Sequence, residues 1–179
     1  KSRYYVNGDT DAVAEAIRES LARYDVTFLT GSSTEFPEIA AEAASRVLGV
    51  KTVANPAILR CMTHYAHARG QSLSDDAEKI CAVPDGSVAL ECTKTPVCGY
   101  CFERGGVRLI VLPGCSENIS ILCEETLPAV FNEMDISAVP VRRVGLIGCA
   151  LADAIDEAKR ISSLDPSLRA EVFQPSAEI

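Results

Sequence analysis

Three things are scarce in this 179-residue chain: long apolar runs, clustered basic side chains and histidine. No stretch approaches the ~20 apolar residues that cross a bilayer, so a membrane partner is not expected. No Lys/Arg cluster offsets a formal charge of -8. Such a surface repels phosphodiesters, which argues against nucleic acid as a partner. The two histidines, His64 and His67, fall in one predicted helix, so no Ser/His/Asp triad can be assembled. Internal repeats, low-complexity tracts and a recognisable signal peptide are also missing. The chain opens on Lys1 rather than Met, which leaves open whether a targeting segment precedes it.

What is present is apolar mass. Hydrophobic residues make up 47% of the chain and charged ones 23%, a balance that excludes disorder. The length suits one domain, or one with a small appendage, at ~100–200 residues per domain. A chain of this size buries roughly 70% of the surface its unfolded form exposes. The eight cysteines sit mostly inside apolar segments, as at residues 119–123 and 145–150. Free cysteine packs as a small hydrophobe, so these read as reduced, mostly buried thiols of a cytoplasmic protein.

Helical and strand patterns alternate. Ala12, Val13, Ala16, Ile17 and Leu21 recur at helical spacing behind the turn Asn7-Gly8-Asp9, and a short apolar run at 26–29 ends at Thr30-Gly31. Pro37 opens a second helix that Gly49 stops. Asn55-Pro56 caps a third, ending near Arg69-Gly70, and residues 75–81 predict one or two further turns. Short strands are expected at 88–92, 100–103 and 107–112, and a long helix at 116–132. A strand at 139–147, a helix at 151–161 and a last strand at 168–173 complete the order. This predicts an α/β fold of three αβα layers around a mostly parallel sheet. Residues 1–136 form one domain in this reading, and residues 137–179 a small αβ appendage.

Ligands of open α/β sheets bind at the carboxyl ends of strands. Two loops have that character. The first, Thr30-Gly31-Ser32-Ser33-Thr34-Glu35-Phe36-Pro37-Glu38, leads from a strand into a helix. Its small residues let backbone N–H groups approach an oxyanion, and Glu35 and Glu38 could hold Mg²⁺. The same residues also read as an ordinary strand-to-helix turn, with the acids favoured by the helix dipole. The second loop is Pro113-Gly114-Cys115-Ser116-Glu117-Asn118, where Gly114 permits a tight turn and Ser116 can cap the helix. Together the two suggest a phosphorylated ligand. Neither is a P-loop, because no Gly-Lys-Ser/Thr follows.

Two clusters resemble metal sites. Cys61, His64 and His67 are three residues apart on one helix, so they spread around the axis and converge poorly on an ion. Cys98-Gly99-Tyr100-Cys101, with Cys92 nearby, contains the C-x-x-C spacing of redox and zinc sites. A second C-x-x-C is missing, and the motif runs into a strand whose side chains alternate, which favours packing.

Most of the chain, from Tyr4 to about Ala158, resembles the CinA-type molybdopterin-binding domain, related to the MogA and MoaB proteins of molybdenum cofactor synthesis. The matching pieces follow the family's order. They are Val6-Asn7-Gly8-Asp9; Asp25-Val26-Thr27-Phe28-Leu29-Thr30-Gly31; Ala77-Glu78-Lys79-Ile80-Cys81-Ala82-Val83-Pro84-Asp85-Gly86; and Gly99-Tyr100 with Glu103. Residues 109–116, followed by Leu127-Pro128, are the most specific piece, and Val144-Gly145-Leu146-Ile147-Gly148 with residues 150–154 complete the set. Two departures stand out. The family's Gly-rich loop is replaced by residues 32–38, one residue shorter, which sets Glu38 at the family's catalytic or metal-linked Asp and Pro37 at its neighbour. The family's first strand and helix have no counterpart.

The resemblance implies a nucleotide or molybdopterin-type phosphate as ligand. It also implies Mg²⁺-dependent pyrophosphate hydrolysis of the ADP-ribose class. Glu38 would be the catalytic and metal-holding residue, with Glu35 as a second metal ligand. Thr30, Gly31, Ser32, Ser33, Thr34, Gly99, Pro113, Gly114, Cys115, Ser116, Glu117 and Asn118 would line the ligand. A homo-oligomer is expected. The altered loop also admits a binding or scaffold module without catalysis, and the cysteines admit a metal or redox protein.

Overall fold

The computed structural model describes residues 9–32, 37–92, 94–95, 97–133, 142, 144–165 and 167–172. The chain divides into two compact units, Lys1–Ser137 and Ala138–Ile179.

In the first unit, α1 (Thr10–Leu21) starts at Asp9, whose carboxylate accepts the Ala12 N–H at 2.8 Å. Its buried residues Val13, Ala14 and Ile17 form one stripe. Strand β1 (Val26–Ser32) leads to α2 (Pro37–Leu48), which opens on proline, where a missing N–H costs nothing. The short β2 (Thr52–Ala54) precedes α3 (Pro56–Ala68), capped by the Asn55 side chain on the Ala57 and Ile58 N–H groups. Then come α4 (Ala77–Ile80), β3 (Ala82–Pro84), β4 (Val88–Leu90), β5 (Gly99–Arg104) and β6 (Val107–Pro113).

The main sheet has the order β1-β6-β5-β4, and β2 and β3 form a separate antiparallel ribbon. Strands β1 and β6 are parallel, whereas β6–β5 and β5–β4 are antiparallel. The expected parallel pairing therefore holds for β1–β6 and not for the hairpin side. The reason is the turn Gly105-Gly106, both residues at positive φ (61° and 85°). A two-residue loop of that kind closes a tight antiparallel hairpin, here with Arg104 opposite Val107.

Alternation along β6 makes the layers. Leu109 and Val111 join a core with Ile17, Ala40, Ala44 and Ile58, while Ile110 and Leu112 join another with Leu122 and Leu127. Helices α1–α3 thus cover one face of the sheet. The other face is covered by α5 (Ser116–Glu125) and α6 (Leu127–Glu133). These two were expected as one helix. Pro128 lacks an N–H and its ring would strike the carbonyl four residues back, so the helix breaks at Thr126. Strands β2 and β3 were not expected; three residues each are too short to show a period.

The second unit contains α7 (Leu151–Leu164), as expected apart from a longer C-terminal end. The two strands expected around it do not form among the described residues. Residues 142 and 144–147 carry no ladder, and residues 139–141 and 143 lie outside the description. Residues 168–172 are likewise irregular. Their backbone bonds go elsewhere: Ala170 N–H donates to Ser162 Oγ at 3.0 Å and Leu168 N–H to the Asp165 carbonyl at 2.9 Å. No helix among the described residues is long and apolar enough to cross a membrane.

Candidate functional site

Because β1 and β6 are parallel neighbours, their carboxyl ends lie side by side, with Ser32 opposite Pro113. Both candidate loops therefore leave the same edge of the sheet. The register slips just before that edge: three steps from Leu29 to Ser32 match two from Val111 to Pro113. Gly31 absorbs the slip at φ +97°, a conformation that a side chain would strain. Thr30 and Gly31 are exposed there.

The loop after β6 is presented openly. Pro113 is buried and anchors the strand end, whereas Gly114, Cys115, Ser116 and Glu117 are exposed and Asn118 is half-buried. Ser116 was expected to cap α5. Instead Cys115, in extended conformation at φ -79° and ψ 126°, is the N-cap, and its side chain makes no capping hydrogen bond. Ser116 is the first helical residue. The leading N–H groups of α5 thus have no side-chain partner at the cap and remain available to an anion.

Gly99 reaches this edge by a different route. It opens β5, which runs antiparallel to β6, and so lies beside Val111 and Leu112. It is buried, and an added Cβ would stand 2.5 Å from the Val111 carbonyl oxygen. Its glycine character serves the close approach of two strands rather than an open cradle.

The acidic residues are less favourably placed. Ser33, Thr34 and Glu35 lie outside the described residues. Glu38 is exposed in the first turn of α2. The ammonium of Lys79 in α4 is held above the ordinary lysine range, first by the hydrogen bond and charge of Asp76 (2.7 Å) and last by the charge of Glu38. Lys79 lies inside the family-like stretch from Ala77. Among the described residues Glu38 brings a single carboxylate, whereas Mg²⁺ needs several hard oxygen donors. Among the described residues no group of three or more His, Cys, Asp or Glu side chains could hold a metal.

The other clusters separate. Cys61 is buried in the core of α1–α3, whereas His64 and His67 are exposed along an open groove with Pro56, Leu59, Arg60 and Thr63. Cys98 faces that same core, while Cys101 packs on the opposite face of the sheet with Ile110 and Leu122. The C-x-x-C spacing therefore cannot chelate one ion. All eight cysteines are free thiols: Cys61, Cys81, Cys92 and Cys98 buried, Cys101 half-buried, and Cys115, Cys123 and Cys149 exposed. Burial pushes the Cys81 thiol up to about 11 and that of Cys98 to about 12.

No protein-family profile matches the chain. A protein of Pyrobaculum arsenaticum is 25% identical over 165 residues, covering 91% of this chain and 62% of its own length. A CinA-like protein of Chlorobium limicola is 26% identical over 155 residues, covering 82% of this chain and 36% of its own length. The chain thus spans less than two thirds of each. The crystal structure of CinA, a protein of unknown function from Thermoplasma acidophilum, superposes with a TM-score of 0.58 at 21% identity, over 71% of this chain and 72% of that one. The chain thus shares the fold of CinA, and its sequence likeness to CinA-like proteins runs over most of its length.

Proposed function

We propose that the carboxyl edge of β1 and β6 binds a small phosphorylated ligand of the nucleotide or pterin-phosphate class. The observation that carries this reading is the register of Ser32 against Pro113, which brings two strand-to-helix loops together. The phosphate would be met by backbone N–H groups at Gly114–Ser116 and around Gly31, with the dipole of α5 adding to the attraction. Side-chain length matters little to such a cradle. Binding is therefore compatible with the altered residues 32–38.

Catalysis is a different matter. Metal-assisted pyrophosphate cleavage needs an ion held by several donors, and among the described residues Glu38 alone does not supply them. Misplacing a reacting group by about 1 Å can cost about 10²-fold. In our reading the chain is a binding module with pyrophosphatase turnover far below that of an intact CinA-type site. It acts within a homo-oligomer in the cytoplasm. Titration with ADP-ribose and with a pterin phosphate tests the binding reading, with Gly114→Val to block backbone approach. Unchanged affinity in that variant places the ligand elsewhere. An ADP-ribose hydrolysis assay with added Mg²⁺, and Glu38→Gln as control, tests the rest. Robust turnover abolished by Glu38→Gln would restore the enzyme reading.

A further inference from the structure

The chain has two histidines, and both stand on α3. Cys61 of the same helix is turned into the core, but His64 and His67 stay exposed and line one groove with Pro56, Leu59, Arg60 and Thr63. Residues three apart on a helix are neighbours, with Cβ atoms about 5–6 Å apart. Neither imidazole has a hydrogen-bond or ion-pair partner among the described residues. The groove's other polar groups are engaged elsewhere. The Thr63 hydroxyl donates to the Leu59 carbonyl at 2.7 Å, and the Arg60 guanidinium lies 3.9 Å from the Glu91 carboxylate. Two adjacent nitrogen ligands are thus left free in solvent, and the nearest arginine in the groove already faces an acid.

We propose that His64 and His67 form a two-imidazole site on α3 for a late first-row divalent cation such as Ni²⁺, Cu²⁺ or Zn²⁺. Imidazole suits these ions, whereas Mg²⁺ takes oxygen ligands. Each ring contributes one nitrogen lone pair, and water fills the remaining positions. No third His, Cys, Asp or Glu converges on the pair among the described residues, so the site is open and exchangeable. It differs in this from a structural zinc site, which closes four protein ligands around the ion. It uses none of the residues at the carboxyl edge of β1 and β6, and it stands whether or not that edge binds a phosphate.

The test titrates Ni²⁺ into the untagged full chain carrying Cys115→Ser, Cys123→Ser and Cys149→Ser, which removes exposed thiols that compete for the ion. Calorimetry is expected to give one ion per chain at the histidines, and that ion should broaden the NMR signals of both rings together. Binding by the second imidazole is intramolecular, and such linkage strengthens binding by about 10²-fold or more. His64→Ala and His67→Ala should therefore each weaken Ni²⁺ binding about 10²-fold. Both side chains are exposed, so the variants should fold like the parent, and circular dichroism checks that they do. His67→Ala combined with Ala68→His should restore the affinity, because residues four apart also meet on one side of a helix. Two ions per chain, with each single variant losing only about half the capacity, would make the imidazoles independent and overturn the proposal. Affinity unchanged in either single variant, or no binding beyond that of a chain lacking both histidines, would overturn it as well.

Discussion

The two units of this chain treat the same kind of residue in opposite ways. In the first, Leu109, Ile110, Val111 and Leu112 of β6 are each at most 3% exposed, because helices cover both faces of the strand. In the second, Leu146, Ile147, Leu151 and Leu164 remain between 48% and 101% exposed. Apolar pattern is alike in both; coverage is not. A strand becomes a strand only when a neighbour takes its N–H and C=O groups, and β6 has one on each side. Residues 168–172 alternate as well as β5 does, yet their N–H groups bond back to α7 and its end.

The largest expected effect breaks this contrast at its core. Ile110→Ala removes a fully buried side chain beneath α5 and α6 and is expected to destabilise by about 2–5 kcal/mol. Ile161→Ala, on a residue 36% exposed in the second unit, is expected to cost well under that, about 1 kcal/mol or less. Urea denaturation followed by circular dichroism compares the two. Similar costs would mean that α7 has a buried face comparable with that of β6.

Glycines sharpen the same comparison at a smaller scale. Gly99→Ala drives a Cβ to 2.5 Å from the Val111 carbonyl oxygen, and backbone cannot swing aside as a side-chain tip can. Overpacking of this kind costs about 1–3 kcal/mol. Gly145→Ala in the second unit meets nothing within 4 Å and is expected to be near neutral. Thermal melts of the two variants decide, and equal shifts would show that β5 and β6 can part to admit a methyl group.

Much of this was readable in advance. The helices at Thr10, Pro37, Asn55-Pro56 and Leu151 announced themselves through caps, prolines and apolar period. So did the three longer strands β1, β5 and β6. What escaped depended on partners. The ribbon of β2 and β3 has no period to read, the break at Thr126 is set by Pro128, and the predicted final strand pairs with no strand among the described residues. Site reading divided the same way. That the strand ends before Gly31 and Gly114 share one sheet edge was legible, because a parallel pair puts its loops together. The placement of Cys61 and Cys98 in one core was not, because tertiary packing alone brings them together there.

Alkali should weaken the first unit through its buried acids. The folded-state pKa of Cys81 is raised to about 11 and that of Cys98 to about 12, in both cases first by burial; Tyr100 is raised for the same reason. An acid whose folded pKa is raised stays neutral in the native state while the unfolded chain ionises. Its stabilising effect is complete below the unfolded value near 9 and is lost as pH climbs toward 11–12. Urea midpoints measured from pH 8 upward are expected to fall, and to fall less in Cys81→Ala, which keeps a small apolar side chain there.

The smallest expected effect lies at the end of α7. Asp165 is fully exposed, and its carboxyl is held below the usual aspartate range, first by the backbone N–H of Ser167 and then by the Ser167 hydroxyl, each at 2.8 Å. A depressed folded pKa stabilises above the unfolded value and loses that effect as pH falls through the folded one. The turn that stops α7 should therefore loosen only in acid, whereas the buried thiols of the first unit respond only in alkali. The loss should be slight, because solvent screens an exposed carboxylate and salt weakens it further. Carbon-detected NMR of the Asp165 carboxyl across the acid range reads its titration directly. Ser167→Ala removes only the hydroxyl, so the midpoint should rise part of the way and keep the share owed to the backbone N–H. A midpoint unmoved by Ser167→Ala would assign the whole effect to the backbone bond. A midpoint at the ordinary aspartate value in the parent chain would mean that the turn after α7 does not hold its carboxylate at all.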